Sequence, residues 1–259
     1  MDSQPVGNNE DWKPVIPALD TDDLGQACEW VEKLRGSGPR IFKVGSQLFT
    51  RVGPKAVELV LERGCGVFLD LKFHDIPNTV AQAARAAVTL GVTMFNVHAS
   101  GGKRMMEAAV HAAQEETLKR GLPRVPWVLA VTVLTSLERE DLGELGLKEE
   151  VSHWVAVWSQ AALRAGVNGI VSSPRELAML RQKYGQKILL VTPGIRTAQR
   201  NLADDQRRVS DPSWALEQGA DHLVMGRGLL ESPDPLQFLK KIEGDSTTPH
   251  YSKPVDNTG

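Results

Sequence analysis

Cysteine is scarce in this sequence. Its 259 residues include only Cys28 and Cys65, in no spacing that suits a metal site or a redox pair. Free thiols in a reducing compartment are therefore expected. Excess charge of either sign is lacking too. A formal net charge of -2 leaves no overall electrostatic footprint for nucleic acid or an anionic membrane, so neither is expected as a partner. No apolar run approaches the roughly 20 residues a membrane helix needs. The polar opening, Met1 to Glu10, has no hydrophobic stretch of the kind a secretory signal carries. A cytoplasmic protein is expected. Metal-ligand spacing of His, Cys, Asp and Glu is also missing, so no metal is expected.

What is present is a repeating pattern. Short apolar runs alternate with segments of helical period, and 41% of the chain is hydrophobic. The strands are expected at Val15 to Asp20, Arg40 to Gly45, Val67 onward, Met94 to Ala99, Trp127 to Leu134, Gly169 to Ser173, Lys187 to Val191, and His222 to Met225. Helices are expected between them. One follows Thr21-Asp22-Asp23, one runs to about Arg63, and one carries Trp154 and Trp158 four apart on a single face. Near-continuous apolar strands imply a parallel sheet covered on its outside. A doubly wound sheet wants a glycine-rich loop after the first strand, where this chain has Asp20-Thr21-Asp22. The expected class is thus α/β, a single-domain (β/α)8 TIM barrel over residues 12–243. Flexible polar tails are expected at 1–11 and 244–259.

In such barrels the working groups stand at the C-terminal ends of the strands. Those ends read Asp20, Lys43, Asp70 with Lys72, His98, Thr135, Ser172 with Ser173, Arg196, and Gly226 with Arg227. The densest stretch is Asp70-Leu71-Lys72-Phe73-His74-Asp75-Ile76-Pro77-Asn78-Thr79-Val80. Alternation puts Phe68, Asp70 and Lys72 on one face of the strand and Val67, Leu69, Leu71 and Phe73 on the other. Pro77 ends the extended segment, and Asn78 or Thr79 is expected to cap the helix that follows. Asp20, Lys43, Asp70, Lys72 and Asp75 are expected to converge on one mouth with alternating signs. Lysine is rarely buried without a partner, and such a row is a poor device for stability. His98, Ser172 and Ser173 fit equally well as ordinary strand-end polar groups.

A second signal lies near the C-terminus. Loops after the seventh and eighth strands often hold phosphate. Here they carry Pro193-Gly194-Ile195-Arg196 and Met225-Gly226-Arg227-Gly228, in which glycine admits an anion to backbone N–H groups and guanidinium grips it. The intervening polar loop, 197–210, is long enough to act as a lid. Carboxylates on either side favour a protonated Lys72. That speaks against a Schiff-base nucleophile and for a proton donor to a developing carbanion. The same carboxylates repel a substrate carboxylate, which suits a decarboxylation anchored by a distant phosphate.

These residues resemble the orotidine 5′-monophosphate decarboxylase family over roughly residues 14–243. The resemblance rests chiefly on Asp70 to Thr79. It is supported by Ala18-Leu19-Asp20, Lys43-Val44-Gly45, Val131 to Ser136, Pro193 to Arg196, Asp205-Gln206-Arg207-Arg208 and Gly226-Arg227. It implies decarboxylation of orotidine 5′-monophosphate to UMP without metal or organic cofactor. Lys72 would protonate C6 and Asp70 would flank the leaving carboxylate. Lys43 and Asp75 would complete the charge network, with Lys43 and Asp20 near the ribose. Thr135 would contact the pyrimidine, and Arg196, Gly226 and Arg227 the phosphate. Gln206 would bridge from the lid. A homodimer is implied, with Asp75 and Thr79 reaching into the partner's site. Two alternatives stand beside this: a Mg²⁺-dependent sister activity like that of the 3-keto-L-gulonate 6-phosphate decarboxylases, and a silent nucleotide-binding barrel.

Overall fold

A computed structural model describes residues 12–38, 40–195 and 211–244. Eight strands pair in the order β1-β8-β7-β6-β5-β4-β3-β2, every pair parallel. In chain order they are β1 Val15–Pro17, β2 Ile41–Gly45, β3 Gly66–Phe73, β4 Met94–His98, β5 Trp127–Val131, β6 Gly169–Val171, β7 Leu189–Thr192 and β8 His222–Met225. The circle closes between β1 and β2 through a parallel bridge, Ala18 to Lys43. There the Leu19 N–H donates to the Lys43 carbonyl at 2.9 Å. The expected TIM barrel is the fold.

Alternation along the strands builds two cores. Ile16, Ile41, Phe68, Met94, Leu129 and Val191 fill the barrel. Their neighbours Phe42, Val44, Val67, Leu69, Phe95 and Val97 face the helices. Leu71 and Phe73 pack against that outer layer, as the period-two reading of the strand requires. Burial on both faces explains the near-continuous apolar runs.

The helices differ from expectation in three places. The helix expected to reach Arg63 is two, α2 Ser46–Val52 and α3 Lys55–Leu61, after α1 Leu24–Arg35. Gly53 at φ 64° breaks the run, and Pro54 cannot continue the preceding ladder. α4 is Pro77–Thr89 with Ile76 at the N-cap, and among the described residues no side chain caps it. Proline takes the first helical position, where its missing N–H costs nothing, so Asn78 and Thr79 fall inside the first turn. After α5 Lys103–Arg120, the stretch read as merely polar holds α6 Arg139–Glu144, opened by a reciprocal capping box between Glu138 and Asp141. Then come α7 Val151–Arg164, α8 Leu177–Tyr184, α9 Pro212–Glu217, α10 Arg227–Leu230 and α11 Pro235–Gly244. The extended reading of residues 132–134 also stops short, since β5 ends at Val131. Apart from Gly244, which closes α11, the expected tails lie outside the described residues. No described helix is long and apolar enough to cross a membrane. Cys28 is half-buried and Cys65 buried, both as free thiols.

The bottom of the barrel is fastened by an ion pair. Arg40, wholly buried, donates two hydrogen bonds to Glu243 of α11 (2.8 and 3.0 Å). It donates others to the Val15 carbonyl and to Ser37 Oγ, both at 2.9 Å. Removing one partner of a buried pair strands the other charge, which costs about 3–5 kcal/mol. Glu243→Ala should lower the urea midpoint accordingly. Arg40→Met combined with Glu243→Leu should lose clearly less than the sum of the single changes. Additive losses in that cycle would show that the two side chains do not act as a pair.

Candidate active site

At the opposite end, the strand tips place four charges in a row. Lys43 Nζ lies 2.7 Å from Asp20 Oδ1 and 3.5 Å from Asp70 Oδ2. Asp70 Oδ1 accepts from Lys72 Nζ at 2.7 Å. Side-chain exposure rises outward from the centre, at 10% for Lys43, 14% for Asp70, 38% for Lys72 and 45% for Asp20. The row is buried in the middle and open at both ends, as a site that receives a ligand must be.

The chain geometry explains the row. Ile41 and Lys43 share the inward face of β2, so the lysine follows an apolar residue into the mouth. A Cβ at Gly45 would stand 2.8 Å from Lys43 Nζ and 3.3 Å from Asp20 Oδ1, so a side chain there would displace the ammonium. On β3 the pairing with β4 is regular at Phe68↔Met94 and Leu69↔Phe95, then slips to Phe73↔Val97. Asp70, Leu71 and Lys72 thus oppose the single residue Asn96. This bulge aims Asp70 and Lys72 together into the mouth. Among the described residues Lys72 is the only non-glycine with positive φ, at 51°. That left-handed conformation costs about 1–2 kcal/mol. Strain of this kind gathers at functional sites.

Electrostatics reinforces the arrangement. Burial alone would pull the Lys43 ammonium toward neutrality, but Asp70 and Asp20 outweigh it and hold its pKa above the ordinary lysine value. Burial would likewise push Asp70 up. Lys43 and Lys72, with hydrogen bonds from Lys72 and Asn96, bring it below the usual carboxylate range. The two central groups are therefore both charged at neutral pH.

The other expected site residues are distributed unevenly. Gly226 is on the same rim, since a Cβ there would lie 3.5 Å from Asp20 Oδ2. Arg227 is exposed at the first position of α10. Thr135 is half-buried in the turn after β5. Asp75 does not join the row of its own chain, which corrects the expected five-charge convergence. The backbone turns outward to start α4 at Pro77, and the exposed Asp75 accepts the Ile76 N–H at 2.6 Å. Thr79 is exposed one turn along. Arg196, Gln206 and the loop 197–210 lie outside the described residues.

Two of the three remaining strand-end groups, Ser173 and His98, have local partners. Ser173 Oγ accepts from the Arg175 N–H at 3.2 Å, and Ser172 is buried. His98 Nδ1 meets Ser100 Oγ at 2.7 Å, and its ring stacks on His74 at 5.3 Å. Burial, with the charges of His74 and Lys72, brings His98 down to about 4, so it is neutral at pH 7. The reading from sequence gave Asn96 no role and quoted Gly45 only within the motif Lys43-Val44-Gly45. An amide at an inward position of the apolar run Met94-Phe95-Asn96-Val97 was the available signal, since a buried polar side chain needs partners.

Comparison with known proteins agrees with this geometry. The family model described as orotidine 5′-phosphate decarboxylase / HUMPS family matches residues 13–242. An orotidine 5′-phosphate decarboxylase of Moorella thermoacetica is 49% identical over 232 residues, 89% of this chain and 91% of the relative. That of Syntrophotalea carbinolica is 45% identical over 230 residues, 89% of this chain and 93% of the relative. The crystal structure of orotidine 5′-phosphate decarboxylase from Lactobacillus acidophilus superposes with a TM-score of 0.79 at 34% identity, covering 90% of this chain and 98% of that one. With an alternating row of charges at the mouth of a parallel barrel and a match that spans that barrel from end to end, the chain belongs to the orotidine 5′-phosphate decarboxylase / HUMPS family.

Proposed function

We propose that this chain is a carboxy-lyase of pyrimidine biosynthesis that converts orotidine 5′-monophosphate to UMP and carbon dioxide. The observation that carries the reading is the row Asp20–Lys43–Asp70–Lys72, with contacts of 2.7, 3.5 and 2.7 Å, in a chain whose named relatives are orotidine 5′-phosphate decarboxylases.

The chemistry follows from the order of charges. The substrate carboxylate is bound beside Asp70, and the bond from C6 to the carboxyl carbon breaks. Its electron pair stays on C6, carbon dioxide leaves neutral, and Lys72 delivers a proton to C6. Asp70 cannot swing aside to relieve the crowding, because Lys43, Lys72 and Asn96 all hold it. Repulsion of the bound carboxylate adds strain in the ground state. The larger gain comes from an ammonium fixed in advance where negative charge develops. Lys43 and Asp20 take the ribose hydroxyls and Thr135 the pyrimidine. Arg196, Gly226 and Arg227 take the phosphate, and Gln206 bridges to the phosphate or the base. Binding energy from this non-reacting end holds the reacting end in place. No step calls for a metal or an organic cofactor.

The working unit in this reading is a homodimer in the cytoplasm, with the partner subunit's Asp75 and the partner subunit's Thr79 completing each mouth. Asp75 and Thr79 are exposed and turned away from the row of their own chain. Ile76 between them is 66% exposed, an apolar side chain that a second subunit would cover.

Two experiments test these statements. Purified protein, exhaustively chelated, should still turn orotidine 5′-monophosphate into UMP, followed by the absorbance of the pyrimidine. Lys72→Ala should lower kcat by more than about 100-fold, the scale of a positioned general acid, while the dissociation constant of UMP moves less than about tenfold. No turnover by the parent chain would sink the assignment. The shared site is tested by mixing. Lys72→Ala and Asp75→Asn are each expected to be nearly inactive. Subunit exchange between them should rebuild one intact mouth in each mixed dimer, restoring roughly a quarter of parent activity. A mixture no more active than its components would exclude sharing.

A further inference from the structure

Asn96 lies on β4 facing the barrel interior, 1% exposed. It is the one residue that the bulged trio Asp70, Leu71 and Lys72 opposes. Its side chain spans the gap that the bulge opens in the ladder. Asn96 Oδ1 accepts the Lys72 backbone N–H at 2.8 Å. Asn96 Nδ2 donates to Asp70 Oδ1 at 2.7 Å. Which end of the amide points where is settled by chemistry, since a backbone N–H only donates and an ionised carboxylate only accepts. One planar side chain therefore touches the strained backbone of the lysine and the carboxylate of the aspartate together.

We propose that Asn96 is a positioning residue for the decarboxylation assigned above. Its amide replaces the missing strand partner of Lys72 and fixes the rotation of the Asp70 carboxylate, so that both face the substrate in working geometry. The inference rests on that functional reading. Asp70 Oδ1 takes two short bonds, from Lys72 Nζ and Asn96 Nδ2, whereas Oδ2 meets Lys43 only at 3.5 Å. Of its holders, Asn96 is the uncharged one. It can orient the carboxylate without competing for the charge that the substrate must feel. The backbone bond acts on the other partner, because Lys72 keeps its left-handed φ only while something holds its N–H. Without the amide, the bulge could relax toward a regular ladder and turn the Lys72 side chain out of the mouth.

Asn96→Asp separates the two bonds. It is nearly isosteric and keeps an oxygen for the Lys72 N–H, but it loses the donor to Asp70 and sets a second carboxyl group against it. The charged groups around Asp70 are Lys43 from β2 with Asp20 after β1 behind it, and Lys72 from β3; His98 from β4 faces Lys72 and is neutral at pH 7. His74 lies beyond, against His98. The partner subunit's Asp75 adds one further acid in the dimer proposed above. In the parent chain Asp70 stays ionised well into acid. A neighbouring carboxyl group in place of the amide raises its pKa, so the acid limb of the kcat profile must move to higher pH.

The test measures kcat, KM, their pH profiles and the thermal transition for the parent, Asn96→Asp, Asn96→Ala and Asn96→Ser. Asn168→Asp serves as the control. That asparagine also accepts a backbone N–H, from Val128 at 2.8 Å, but it sits beside the N-terminal ends of the strands. The expected result is a kcat about 10- to 100-fold lower in the Asn96 variants, the scale of a hydrogen bond to a charged group, with KM changed less than about threefold. In Asn96→Asp the acid limb should rise by about one pH unit or more. Asn168→Asp should change the thermal transition without moving the acid limb. Folded Asn96 variants with kcat within about threefold of the parent and an unmoved limb would overturn the proposal. So would a set in which every Asn96 variant loses its thermal transition, which would assign the residue to folding alone. Turnover by the parent chain is the internal reference. Its absence would instead strike at the functional reading.

Discussion

The Asp70 carboxylate is the point on which the mouth of this barrel turns. It accepts from Lys72 and Asn96 through one oxygen and faces Lys43 through the other. An isolated carboxylate in so dry a place would take up a proton. Here the surrounding cations and the amide reverse that tendency and keep it charged. Everything adjoining it is arranged accordingly. β3 is bulged so that two of its residues reach the mouth together, Gly45 is bare so that an ammonium fits, and Asp20 holds the far side of Lys43.

Fold closure and site assembly are the same event in this chain. The last seam of the barrel is the bridge between Ala18 and Lys43. Lys43 thus supplies the backbone carbonyl that closes the sheet and the ammonium that links Asp20 to Asp70. A barrel opened at this seam would lose its central cation at once. The arrangement also ties three consecutive strand ends, β1, β2 and β3, to one another by charge. Their relative height is then held by side chains as well as by the ladder.

Much of this was legible in the sequence, because strand and helix periods impose themselves wherever a surface is buried on both sides. The eighth strand was read at its true limits, His222 to Met225, the common face of Asp70 and Lys72 followed from counting by twos, and Lys43 was placed at the mouth by its position at a strand end. Counting by twos also marks the limit. It presumes that a strand continues regularly, so it cannot foresee a bulge at Asp70 to Lys72 or the outward turn that carries Asp75 away from its own row. The bulge depends on what β4 presents to β3, with Asn96 24 residues from Lys72 in the chain, and the turn at Asp75 on where α4 begins, at Pro77. The break at Gly53-Pro54 and the capping box at Glu138 and Asp141 were different in kind. Their signals were local and simply outweighed by the apolar periodicity around Gly53 and the polarity around Asp141. Asn96 was hidden by good company, a single amide in a strand that otherwise reads as core.

Two of the buried ion networks show how one barrel divides its labour between its ends. At the bottom, Arg40 and Glu243 meet in a paired, closed contact, with further bonds to a carbonyl and a hydroxyl. At the top, four charges stand in a graded row whose outer members remain open to solvent. The bottom pair fastens the last helix to the residue that leads into the second strand. The top row is incomplete: among the described residues the Lys72 ammonium and the Asp20 carboxylate each meet one partner of the row, so each keeps hydrogen-bonding capacity for a ligand. Burying charge costs several kcal/mol for each ion even after relaxation, and a chain selected for stability alone would have filled the mouth with apolar side chains. The strained φ of Lys72 adds to that cost. Both expenses fall where substrate would sit. An enzyme that must hold a carboxylate, a cation and a second carboxylate within a few ångströms of a departing carbon dioxide has reason to place its stability at the other end.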